Sequence, residues 1–425
     1  RYDECRDRRD GIHDARKVNA VTPHVVVVGA GAAGLMAAIA ARMAGARVTV
    51  LESTADGGRK ILISGGGRCN VLPADAAPER FVSDSPRTLV RALLGGWPLR
   101  EQTRFFEHEA GVPLALEPGS GKLFPASSRA KDVRDGLATL AVARGVLFRF
   151  RSPVSAIHPV DGTWLLDTPG GPVTADRVVL ATGGLSVPAT GSDGAGLGFA
   201  RTLGHVVHPT YAALTPLRAV PAVHAGLAGV SLDVAIESVS ERERASARGG
   251  FLFTHRGYSG PSVLDVSHVA VRSKWPGAAP ALVRVAWTTL DRAAWTDHLA
   301  TARGLVVTAV AAHVPQRLAE ALVHESEIVP SRTCAQLRRE ERERLLDRLT
   351  SYPLPWTGDE GYRTAEVTGG GVALDEVHRA TLESKRAPGL YLCGELLDAF
   401  GPIGGHNFNW AWSTGWMAGR GAARI

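Results

Sequence analysis

The strongest constraint on the fold lies near the start of the chain. The β-branched run HVVVVGA (His24–Ala30) meets glycines at 29, 31 and 34 and then the alanine-rich GLMAAIAARMAG (Gly34–Gly45). A second strand-like run, ARVTVLE (Ala46–Glu52), follows. Strand, glycine turn, helix and strand within about thirty residues form the βαβ unit that binds dinucleotides. Gly29 permits the tight turn, Gly31 lets a pyrophosphate approach, and Gly34 packs helix on strand. The phosphates then face the free N–H groups and positive dipole end of the helix, near Ala32 and Ala33. Glu52, about twenty residues on, is placed to accept the ribose hydroxyls of an adenosine.

That unit alone does not separate FAD from NAD. A small β meander is expected across LFRFRSPVSAIHPVDGTWLLDTPGGPVTADRVVLATGG, with Val154 near its entry. It ends in a buried strand running into Ala181, Thr182 and Gly183, an element that returns the chain to the cofactor. Near the C-terminus, GLYLCGELLDAFGPIGGHNFNWAWSTGWMAG reads as a strand, an acid, a glycine-rich turn and a helix. Gly394 and Glu395 suit the ribityl hydroxyls. A helix starting near Gly404, Gly405 and Asn407 suits the flavin pyrimidine edge, where its dipole stabilises the anion of the reduced ring. The three signals together favour FAD.

GGRKILISGGGRCN (Gly57–Asn70) follows directly on Glu52. Arg59, Lys60 and Arg68 can offset the charge of a pyrophosphate. Ser64, Gly65, Gly66 and Gly67 can present backbone N–H groups without Cβ clashes. No G-K-[ST] closes the stretch, so it is not a Walker A loop. Cys69 has no resolving cysteine nearby in sequence and reads as a packed thiol.

With 425 residues, 45% hydrophobic and 21% charged, the chain can build a large core. The net charge of +6 is dispersed among interleaved acids and bases, so no nucleic-acid partner is expected. The four scattered cysteines have neither CxxC nor zinc-ligand spacing, which implies no metal and a reducing cytoplasm. No apolar run reaches membrane-spanning length, so no membrane partner is expected. Residues 1–22 are polar and mixed in charge, and are expected to be a disordered or mis-started tail outside the fold.

The simplest layout is a nucleotide-binding domain over 23–204, resumed over 359–425. Between the halves, 205–358 would form an inserted substrate or cap domain, β-rich with a helical part. In RTCAQLRREERERLLDRLT, the charges read as a solvated helix face with Leu337, Leu345, Leu346 and Leu349 turned inward.

In order along the chain, GRKILISGGGRCN, GKLFPASSRAKDV, ATGGLSVPATGSDGAG, FLFTHRGYSGPSVLDVS, TGGGV and LYLCGELLDAFGPIGGHNFNWAWSTG resemble the BaiN/YhiN-like flavoproteins. Members of that family are named as aminoacetone oxidases, bile-acid dehydro-intermediate reductases or NAD(P)/FAD-dependent oxidoreductases. The resemblance covers almost everything from His24 onward. It implies an α/β fold: a glutathione-reductase-like, Rossmann-type FAD domain with an inserted β-barrel-like and small helical subdomain. It also implies that Arg68, Cys69 and Asn70 lie along the FAD. The family usually carries Tyr where this chain has His406.

Flavin chemistry asks little of a protein beyond orientation and sometimes one acid or base. His406 is the candidate for proton transfer, and His255 and Tyr258 in THRGYSG are candidate substrate contacts. The expected activity is hydride transfer between a small organic substrate and flavin N5. NAD(P)H or oxygen would be the second substrate, giving either an NAD(P)H-fuelled reductase of an enone-like substrate or an amine oxidase. A flavoprotein acting on RNA and a non-catalytic redox sensor are the readings from other classes.

Overall fold

The computed structural model describes residues 22–424. The expectation of a tail over 1–22 therefore lies outside the described residues, Thr22 excepted. The organising element is a five-stranded parallel sheet. Its order is Leu390–Leu392, Arg177–Leu180, His24–Val28, Arg47–Leu51 and Leu147–Arg149. Val25, Val26 and Val27 are fully buried because helices cover both faces of the sheet.

The glycine turn feeds the helix Ala32–Met43, which packs along the C-terminal helix His406–Ala422. A Cβ on Gly415 would lie 2.4 Å from the Ala33 carbonyl oxygen, and one on Gly419 would lie 2.1 Å from that of Ala37. Only glycine permits that approach. Since Gly415 sits beside Ala33 and Gly419 beside Ala37, the two helices run in the same direction. The C-terminal helix therefore starts roughly 12 Å ahead of the other, at 1.5 Å per residue. Two positive dipole ends face the same side of the molecule, one beyond the other.

The expected meander is present as Ala156–Val160, Thr163–Asp167 and Val173–Ala175, all antiparallel. A second small sheet, Leu72–Pro73, Lys122–Pro125 and Leu114–Glu117, has no counterpart in the sequence reading. GGRKILISGGGRCN is more ordered than a loop. It forms the short helix Arg59–Ile63 and then a turn in which Gly65, Gly66 and Gly67 take φ of 54°, 65° and 85°.

Between the halves of this domain lies a seven-stranded antiparallel sheet. Its edge strands, Tyr352–Pro353 and Gly358–Asp359, are joined by a few residues, so the sheet curls towards closure. Helices Arg292–Thr301, Val306–Ala311, Gln316–Glu325 and Arg339–Thr350 share a core with it, built on Phe251, Phe253, Trp287 and Trp295. On Arg339–Thr350 the leucines 345, 346 and 349 point inward beneath the charged face, with Leu337 buried just before it. The strands Val207–Ala213 and Val367–Val372 pair antiparallel and tie this part to the nucleotide-binding half. No helix among the described residues is long and apolar enough to cross a membrane.

Candidate active site

A cavity of about 370 Å³ opens beyond the carboxyl ends of the parallel strands, where open α/β sheets bind ligands. Gly29, Gly31, Ala32, Ala33 and Glu52 line one end. Ala181, Thr182, Gly183 and Val154 line its side. Gly394, Glu395, Gly404, Gly405 and Asn407 line the other end, together with Phe400 and Ile403.

Glu52 is buried and held at both oxygens. Oε2 accepts from the Ala30 N–H at 2.7 Å, and Oε1 accepts from the Thr54 N–H at 2.8 Å and the Thr54 hydroxyl at 2.7 Å. A carboxylate has about four lone-pair sites, so room remains for sugar hydroxyls. Gly34 does not line the cavity. A Cβ there would stand 1.9 Å from the Gly29 carbonyl oxygen, which is the helix-packing role expected of the third glycine.

Three observations show that these residues suit a dinucleotide. Around Gly31 a Cβ would meet nothing within 4 Å, so the backbone lies open to the cavity. Neither the helix after Gly31 nor the helix after Gly405 has a side-chain cap, leaving their first N–H groups free for an anion. Asn70 lines the cavity, and its Oδ1 is buried without a hydrogen-bond partner among the described residues.

Each cation of GGRKILISGGGRCN already has an acid as partner. Arg59 pairs with Asp56 at 2.6 Å, and Lys60 pairs with Glu395 at 2.6 Å and bonds Ser186. Arg68 pairs with Glu117 at 2.9 Å, stacks 4.2 Å over the Phe124 ring, and stays outside the cavity. Arg59, Lys60, Ser64, Gly65 and Gly66 line the cavity, whereas Gly67 and Cys69 do not. Burial pushes the Cys69 thiol up to about 12, so it stays protonated as a packed thiol.

The catalytic candidates are also redistributed. His406 is buried and does not line the cavity; its ring turns towards Phe81, 5.9 Å away. Neither ring nitrogen has a hydrogen-bond partner among the described residues, and burial, with Arg80 nearby, lowers its pKa to about 4. His255 is exposed on the turn between strands Arg244–Thr254 and Gly257–Ser259. Tyr258 is fully buried in the inserted core, where its hydroxyl meets His224 Nδ1 at 2.8 Å. Burial pushes that phenol up, and neither residue lines the cavity.

Two other acids bear on the cavity, one lining it and one bonded to a residue that does. Glu366 lines it beside Val367, Phe400 and Ile403. Asp265, on the helix Pro261–Arg272, accepts the Ile403 N–H at 2.8 Å, and burial raises its pKa to about 6. Both sit inside motifs quoted for the resemblance or next to them, in PSVLDVS and just before VTGGGV. An acid flanked by apolar residues was the available signal.

The family described as HI0933-like protein Rossmann domain matches residues 23–421. The chain belongs to the HI0933-like family. It is an FAD-dependent oxidoreductase, as HI0933-like proteins are. Among its relatives, the "ribosomal RNA dihydrouridine synthase" of Escherichia coli (strain K12) is 35% identical over 403 residues, covering 92% of this chain and 96% of that one. The "3-dehydro-bile acid delta(4,6)-reductase" of Clostridium scindens is 32% identical over 413 residues, covering 93% and 98%. Among solved structures, the 3-ketosteroid delta1-dehydrogenase of Sterolibacterium denitrificans matches with a TM-score of 0.51 at 13% identity, over 95% of this chain and 100% of that one. That likeness concerns the fold alone.

Proposed function

We propose that this HI0933-like protein reduces a carbon–carbon double bond conjugated to a carbonyl, with NAD(P)H as the source of electrons. One observation carries the reading. Two relatives matched over more than nine-tenths of their lengths carry names for the same bond chemistry. Forming dihydrouridine saturates C5=C6, which is conjugated to the C4 carbonyl of the base. A delta(4,6)-reductase of a 3-dehydro bile acid works on a diene conjugated to the 3-oxo group.

Bound FAD would supply a hydride equivalent at N5, taken first from the nicotinamide. The chain's part is to hold and orient. Glu52 would take the ribose hydroxyls, Gly31, Ala32 and Ala33 the pyrophosphate, and Glu395 the ribityl chain. The helix start at Gly405 to Asn407 would face the flavin's pyrimidine edge, where its dipole favours negative charge. Val367, Phe400 and Ile403 supply an apolar wall that keeps water from the reacting bond.

A second reading concerns the size of the substrate. The relative at 35% identity is named for ribosomal RNA, and the excess of six positive charges gives a polyanion some attraction. The substrate would then be a uracil within RNA in place of a small enone.

Anaerobic stopped-flow tests both. NADH or NADPH should bleach the flavin, and either a 3-oxo-4,6-diene bile acid or an unmodified ribosomal RNA transcript should restore its colour. The product should carry two added hydrogens by mass spectrometry. A flavin that bleaches but is reoxidised by neither compound would overturn the reading.

A further inference from the structure

Five carboxylates line the cavity: Glu52, Asp56, Asp193, Glu366 and Glu395. Four of them are committed. Glu52 is held by Ala30 and Thr54, Asp56 by Arg59, Asp193 by the Ala195 N–H, and Glu395 by Lys60 and the Thr368 N–H. Glu366 alone among them makes no side-chain hydrogen bond or ion pair with the described residues, although its backbone is fixed. Its N–H donates to the Leu214 carbonyl at 3.1 Å, and the strand starting at Val367 pairs with Val207–Ala213. A rigid stem thus presents an unclaimed carboxyl to the cavity.

Its surroundings favour the protonated form. Glu366 is exposed to solvent where it lines the cavity, yet the protein packed around it desolvates its carboxyl and raises its pKa. Asp265, from the inserted helix, adds a repulsive negative charge. Lys60, from the helix Arg59–Ile63, and Lys122, from the strand Lys122–Pro125, partly offset it. Lys60 is already bonded to Glu395, and Arg80 and Lys122 also face Asp265. A carboxyl whose pKa is raised holds its proton to higher pH than a free one and can donate it as a general acid.

We propose that Glu366 is the catalytic acid of this site, giving its proton to the α carbon of the conjugated carbonyl substrate. This rests on the reduction proposed above. The β carbon receives the hydride equivalent that NAD(P)H provides through the cofactor. The π electron pair of the double bond forms the new α C–H bond with the proton of Glu366, and the Glu366 O–H bond breaks. The carboxylate left behind is reprotonated from water through the open side of the cavity, and NAD(P)⁺ is the oxidised product.

The test uses FAD-loaded wild type, Glu366→Gln and Glu366→Asp, with the bile-acid dienone and the RNA transcript as probes. Glu366→Gln should keep its FAD content and its rate of bleaching by NAD(P)H. Reoxidation by the probe should slow by about a hundredfold or more. A second readout needs no redox turnover: oxidised wild type in D₂O should exchange the α hydrogen of the saturated product, followed by NMR or mass. Glu366→Gln should lose that exchange, and Glu366→Asp should restore part of it. Reoxidation by Glu366→Gln within about threefold of wild type, or retained exchange, would overturn the assignment. If the wild type itself is reoxidised by neither probe, the reduction reading fails first, and that outcome is visible before any variant is compared.

Discussion

Asp265 and Ile403 are joined by a hydrogen bond of 2.8 Å from the Ile403 N–H to the Asp265 carboxylate. The first belongs to the inserted helix Pro261–Arg272, and the second to the glycine turn that opens the C-terminal helix. The insertion is thereby tied to the backbone expected to face the flavin. Burial raises the Asp265 pKa to about 6 from the ordinary carboxylate value. The folded state then holds a proton that the unfolded chain has released, so this residue costs stability as pH rises from about 4 to above 6. Asp265→Asn keeps an acceptor for Ile403 and removes the titration. Its stability relative to wild type should grow by about 2 kcal/mol between pH 4.5 and 7.5, read by urea unfolding at the two values.

Two neighbouring glycines should respond in opposite ways. At Gly34 a Cβ would be 1.9 Å from the Gly29 carbonyl oxygen, a clash that only backbone movement relieves. Gly34→Ala should therefore lower apo-protein stability by about 1–3 kcal/mol or prevent folding. Gly31 has φ of −73° and open space around it, so alanine fits the fold. The open space is the cavity, however. Gly31→Ala should keep the apo melting temperature and lose about tenfold or more in FAD affinity, measured by fluorescence titration. Unchanged FAD affinity in Gly31→Ala would contradict the placement of the pyrophosphate there.

The nucleotide-binding half was legible in the sequence because backbone geometry dictates its glycines. A tight turn and a helix contact exclude a Cβ at Gly29 and Gly34, and the open cavity at Gly31 leaves room for a close approach, all at a fixed spacing. Charge partners were less legible, since they come from distant segments. Lys60 reads as a free cation beside a phosphate until the fold brings Glu395 to it. His406 shows a different limit. Its place after Gly404 and Gly405 puts its backbone at the cavity, but the direction of its side chain follows from the helix and its packing on Phe81. Glu366 and Asp265 lie on separate elements and carry no common periodicity, so only the folded chain brings Asp265 near Glu366 and the lining residue Ile403.

The Lys60–Glu395 pair, at 2.6 Å, is about three-quarters or more buried on both sides. Breaking such a pair costs more than it gains in the intact protein, because the remaining charge keeps its desolvation penalty. Lys60→Met leaves Glu395 without its cation and should reduce both FAD retention on gel filtration and the melting temperature. Adding Glu395→Gln to Lys60→Met should recover part of the lost stability, because the stranded charge is then removed. A double variant no better than Lys60→Met would show that the pair is not the relevant interaction.

His406 offers a pH effect of the opposite sign to that of Asp265. Its ring is buried without hydrogen-bond partners among the described residues, and its pKa falls to about 4, so the folded state resists a proton that the unfolded chain accepts below about 6.5. Stability from keeping it neutral is complete above pH 6.5 and is lost as pH falls towards 4. His406→Phe fills the same apolar site beside Phe81 and cannot be protonated. It should match wild type at pH 7.5 and exceed it by about 2–3 kcal/mol near pH 4.5, again by urea unfolding. His268, also buried and lowered to about 4, contributes a similar slope in both proteins and cancels in the comparison. Because the ring points away from the cavity, His406→Phe should reduce substrate at the wild-type rate. A hundredfold loss of turnover with FAD retained would instead return His406 to the role its sequence position suggested.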